Sequence, residues 1–97
     1  MIAVVVHHYV FAHQLEEADM RIRETGSKMC SFSGFVSRLA LRSQSEPLKI
    51  ITVTCWEGNE NREAWDQSSE RRQAVEGTAH FWSKPPEAEL FDVIPEL

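Results

Sequence analysis

Residues 2–10, IAVVVHHYV, are apolar in both alternating sets, with Ile2, Val4 and Val6 on one side and Ala3, Val5 and Tyr9 on the other. A strand of this kind has to be covered on both faces. From Phe11 the period lengthens: Phe11, Leu15, Ala18, Ile22, Thr25, Met29 and Phe32 recur every three or four residues. Glu16, Glu17, Arg21, Arg23 and Glu24 fall on the opposite side, so the segment is expected to be an amphipathic helix. Gly26 weakens its last turns, which places the helix end between Thr25 and Ser31. After SFSGF the alternation returns, with Phe35, Leu39 and Leu41 against Arg38, Ala40 and Arg42, a strand with one wet face. SQSEP is turn chemistry, and Pro47 cannot sit inside a central strand, so residues 43–47 are expected to close a hairpin.

The third strand, Leu48 to Trp56, carries the run Ile50, Ile51, Thr52, Val53, Thr54 and belongs in the middle of a sheet. Asn59 or Asn61 is placed to cap a second helix, with Glu60 and Glu63 near its positive end and Gly77 to stop it. Pro85 and Pro86 in SKPPEAE predict a connector without regular structure, followed by a last strand from about Glu89 to Ile94. The order β-α-β-β-α-β is the ferredoxin-like α+β arrangement, an antiparallel sheet with the first and third strands central, in a single domain over residues 1–97. Two helices cover one side of such a sheet. The other side would leave valine, isoleucine and leucine in water, which predicts a homodimer that buries sheet against sheet.

Composition narrows the classes. The chain is 42% hydrophobic and 26% charged, and no apolar run approaches the ~20 residues of a membrane-spanning helix. MIAVVVHHYV lacks the cationic flank and cleavage site of a secretion signal, so a cytoplasmic location is expected. Cys30 and Cys55 form no CxxC pair and are expected to be free thiols. A net charge of −5 argues against a nucleic-acid partner. The histidines His7, His8, His13 and His80 show no zinc-site spacing, and no glycine-rich phosphate loop is present, so neither a metal nor a nucleotide cofactor is expected.

The first strand, the amphipathic helix, Gly34–Phe35 leading into the second strand, and TVTCWEGNENREAWDQSSERR together resemble the antibiotic biosynthesis monooxygenase (ABM) family. The resemblance covers nearly the whole length and implies a dimeric α/β barrel with a pocket in each protomer between sheet and helices. Relatives include oxygenases that act on phenolic rings without metal or organic cofactor, haem degraders and proteins acting on quinone-like molecules. In the haem degraders a histidine on the second helix ligates iron; here that position falls on Val75, with His80 nearby, which disfavours haem. The resemblance therefore implies a cofactor-independent monooxygenase acting on a small aromatic or quinone-like ligand, the alternative being a dimer that binds such a ligand without transforming it.

A base that forms a phenolate and a dry aromatic wall are what this oxidation requires. The register that aligns with the family puts His7, alongside Ala3, Val5 and Tyr9, toward the pocket as base or orienting group, and His8 into the dimer interface. Trp65 lies on a helix face with Asn61, Ala64, Ser68, Arg72 and Val75, which is otherwise small or polar and so can border a cavity. His7 and Trp65 are thus the candidate catalytic residues, and Tyr9, Asn61, Ser68 and Arg72 the candidate substrate contacts. Trp56 is expected in the core, and Trp82 at a core edge or closing the pocket.

Overall fold

The computed structural model describes residues 1–96. The chain runs β1 (Ile2–Val10), α1 (Leu15–Met29), β2 (Phe35–Arg42), β3 (Lys49–Trp56), α2 (Asn59–Asp66), α3 (Ser69–Val75) and β4 (Trp82–Asp92), with single 3-10 turns at Ala12–Gln14 and Ala79–Phe81. All strand pairings are antiparallel, in the order β2-β3-β1-β4. The two strands that are apolar on both faces are the central ones, as their pattern requires.

The first helix runs through Gly26 and ends at Met29, within the expected bounds. A Cβ on Gly26 would lie 2.7 Å from Nη1 of Arg38, whose guanidinium packs against the helix and donates to the Ile22 carbonyl at 2.9 Å. Three local features depart from the sequence reading. The second helix is two helices. Ser68 breaks it, donating to the Trp65 carbonyl at 2.6 Å and accepting from the Arg71 amide at 3.0 Å, so that it closes α2 and caps α3. Gly58, rather than Asn59 or Asn61, occupies the N-cap of α2. The proposed connector at Pro85 and Pro86 is part of β4, which is tolerable because β4 is an edge strand with register shifts against β1 near these residues.

The core is in two pieces. Val10, Ala18, Ile22, Ile50 and Phe81 form one cluster, with Leu15 and Trp82 packed against it. Met29, Trp56 and Trp65 form the other, backed by Ile2, Val4, Phe32 and Phe35. The two clusters sit at opposite ends of the same face of β1 and β3. What separates them is Val6 and His8 on β1 and Thr52 and Thr54 on β3, a stretch poor in apolar bulk.

Candidate functional site

A cavity of about 700 Å³ fills that gap. Its floor is Val4, Val6 and His8 of β1, Thr52, Thr54 and Trp56 of β3, Arg38 of β2, and Trp82, Pro86, Ala88 and Leu90 of β4. Thr25 and Met29 of α1, the α2–α3 pair and Thr78 form the roof. All three tryptophans of the chain, Trp56, Trp65 and Trp82, line it. Trp65 is only 4% exposed and meets the Phe32 ring edge-on at 5.0 Å, which fixes its plane.

The histidine on this face is His8. Residues directly opposed in an antiparallel pair share a face, and Ile2 opposes Trp56 while His8 opposes Ile50. Since Trp56 and Ile50 are buried under the helices, the even-numbered residues of β1 face the cavity. His7, opposed to Ile51 and Glu87, and Tyr9, opposed to Lys49, lie on the reverse face. The expectation that His7 and Tyr9 face the pocket is therefore corrected by one residue of strand register. The Tyr9 ring instead carries the Lys84 ammonium 4.0 Å from its centroid.

The His8 imidazole lies against Trp82, with ring centroids 4.9 Å apart, and its Nδ1 is buried without a hydrogen-bond partner among the described residues. Burial drives its pKa from 6.5 to about 4; the Ile50 backbone opposes this shift, and the positive charges of Arg38 and His7 add to it. It is a neutral imidazole at pH 7. Arg38 is half-buried, which lowers its pKa, and its Nε likewise has no partner among the described residues. Its anchor is the carbonyl of Ile22. At the α2–α3 end, Arg62 donates to Asp66 at 2.5 Å and to Asn59 at 3.0 Å, and Arg71 lies 3.9 Å from the same aspartate.

Of the six candidate residues, the structure puts only Trp65 in the cavity wall. Asn61 donates to the Ser33 carbonyl at 3.1 Å and packs where a Cβ on Gly34, at φ 83°, would strike it, so it pins the turn into β2. Ser68 is the helix cap adjoining the wall. Arg72 is exposed outside the cavity, and its neighbour Arg71 lines it. Val75 lines the cavity, while His80 is exposed and stacks on Phe81 at 4.5 Å, outside it. Arg38, Thr52, Thr54 and His8 were missed as site residues. The signal for the threonines was present, since Trp56, read as core, fixes which parity of β3 faces the helices; for His8 it takes the Ile2–Trp56 register of the folded sheet to carry that parity to β1.

No protein-family model and no curated protein sequence matches the chain. Solved structures do. A Nitrosomonas europaea protein assigned as an antibiotic biosynthesis monooxygenase superposes with a TM-score of 0.90 at 13% identity, covering 98% of this chain and 100% of its own. SnoaB, a cofactor-independent oxygenase from Streptomyces nogalater, gives 0.88 at 14% identity, with 99% and 95% covered. Rv0793 from Mycobacterium tuberculosis gives 0.89 at 8% identity, with 98% and 96% covered. The chain shares the fold of these structures. The ferredoxin-like architecture expected from the strand and helix order is thereby shown over nearly the whole length. No described helix is long and apolar enough to cross a membrane.

Proposed function

We propose that the protein is a cofactor-independent monooxygenase of the ABM kind that oxidises a small aromatic or quinone-like molecule in the cavity between sheet and helices. The observation that supports it is the pairing of three tryptophans with one neutral imidazole, whose Nδ1 has no partner among the described residues, around a space of about 700 Å³. That volume falls within the ~300–1,000 Å³ of small-molecule sites. The shared fold, and the cofactor-independent oxygenase activity of its structural neighbour SnoaB, suggest the reaction class. Without a cofactor, the electrons come from the substrate: in a phenol, the ring C–H para to the hydroxyl becomes C=O with one oxygen atom of O₂, the hydroxyl becomes the second C=O, and the two hydrogens leave with the other oxygen atom as water. Trp65 and Trp82 hold the ring; His8 takes the place first given to His7 and accepts a hydrogen bond from the substrate hydroxyl, favouring the electron-rich anion.

A second reading, a dimer that binds such a ligand without turnover, is favoured by one observation. A pKa of about 4 makes His8 a weak base in the empty site. Oxygen consumption with a panel of phenols and hydroquinones, with no cofactor added, separates the two. Under the oxygenase reading His8→Ala lowers kcat/KM by about 10²-fold, Trp65→Phe lowers it less, and His7→Ala leaves it unchanged. Equal rates in all four proteins would remove the assignment.

We also propose that a second copy covers the reverse face of the sheet. Leu39 is 61% exposed there, Leu41 45% and Phe91 43%, alongside Val5, Ile51 and Val53. So much contiguous apolar surface is unusual on a monomer.

A further inference from the structure

The charge of the cavity wall is opposite to that of the protein. The chain carries a net −5, yet the cavity is lined by Arg38, Arg62 and Arg71 against the single carboxylate of Asp66, a net of two positive charges with His8 neutral. Asp66 is committed to Arg62 and Arg71. Arg38 also borders a groove between α1 and β2, where the one acidic lining residue, Asp19, accepts two 2.6 Å hydrogen bonds from Arg42. Among the described residues Arg38 therefore has no carboxylate partner. A half-buried cation without a counter-charge is unfavourable, and the fold nevertheless makes room for this one: Gly26, in the body of α1, gives up helix propensity relative to alanine at the spot where a Cβ would lie 2.7 Å from Nη1 of Arg38.

We infer that Arg38 is an anion subsite of the cavity, and that the ligand is an aromatic acid whose ring lies among the tryptophans and whose carboxylate, or an equally acidic oxygen, pairs with the guanidinium. The inference rests on the cavity being the ligand site and names the class of ligand it takes. An arginine offers a planar fork of donors to a carboxylate. Here Nη1 is used by the Ile22 carbonyl and Nε, though without a partner among the described residues, is closed off from solvent, which leaves Nη2 as the donor open to a ligand. The neutral His8 ring beside it adds a hydrogen-bonding group without competing charge.

The test is a pair of probes that differ only in charge, 2-naphthoate and 2-naphthamide, titrated into the purified protein by calorimetry. Naphthoate is expected to bind at least about tenfold more tightly, as a charge-assisted hydrogen bond warrants. Arg38→Gln should erase that preference while leaving naphthamide affinity within about twofold, and Arg38→Lys should retain part of it. Gly26→Ala keeps the charge but displaces the guanidinium, so it should shrink the preference even if Arg38→Gln does not fold. Equal, measurable binding of both probes to the parent protein would overturn the anion subsite while leaving an apolar ligand cavity. A preference that survives both Arg38→Gln and Gly26→Ala would also overturn it. Absence of binding by either probe would overturn it together with the cavity reading.

Discussion

The two faces of the sheet invert the usual relation between polarity and burial. The helix-covered face presents His8, Arg38, Thr52 and Thr54 to a cavity under the helices, while the reverse face presents Val5, Leu39, Leu41, Ile51, Val53 and Phe91 with little over them. Polar groups are buried where a ligand site needs them, and apolar groups are exposed where another surface can cover them. The same strands supply both, because successive side chains point to opposite sides. The covered face is thus a core interrupted by a cavity. The reverse face is an apolar surface left open among the described residues.

The sharpest way to break the comparison is to charge the reverse face. Leu39→Asp with Val53→Asp should convert a dimer into a monomer in sedimentation or size-exclusion measurements, leaving the helix signal intact because neither side chain touches the two core clusters. A protein that is monomeric before the substitutions would remove the proposed second copy. The single substitutions should weaken association by smaller steps.

Acid separates the faces next. Folded His8 resists protonation down to about pH 4, whereas in the unfolded chain it takes a proton near 6.5. Between those values the unfolded state binds more protons, so the stabilisation is complete above pH 6.5 and is lost as pH falls toward 4, by about 3 kcal/mol. Urea unfolding at pH 7 and at pH 4 should show this loss in the parent protein, and a smaller one in His8→Gln. If both proteins lose stability equally, the buried neutral imidazole is not the cause. His7→Gln, on the reverse face, is the matched control.

The smallest effect sharpens how the roof is built. Ser68→Ala removes the side chain that caps α3 and closes α2, and should cost about 1 kcal/mol in thermal or urea unfolding. It should act on stability alone, since Ser68 adjoins the cavity wall without lining it. A large change in ligand affinity with unchanged stability would return Ser68 to the list of substrate contacts.

The fold was legible in the chain because it follows from local periodicity. The doubly apolar β1 and β3 had to be central, the Phe11–Met29 repeat had to be a helix, and the reverse face followed from having helices for one side only. Where a local signal misled, the tertiary setting outweighed it: an edge position lets β4 carry Pro85 and Pro86. The candidate site was less legible. Trp65 could be found because its helix face was short of apolar partners. His8 could not be told from His7 by alternation, since both sets of β1 are apolar, and only the opposition of Ile2 to Trp56 decides between them.

The sequence by itself determined the elements, their order and the presence of one amphipathic helix over a two-faced sheet, because these depend on spacing along the chain. Only the tertiary structure decided which face of β1 the helices cover, that the core divides around a cavity, and that Arg38 sits there without a carboxylate. Each of these depends on side chains from β1, β2, β3 and α1 meeting across the sheet, and a one-residue change of register would reverse it.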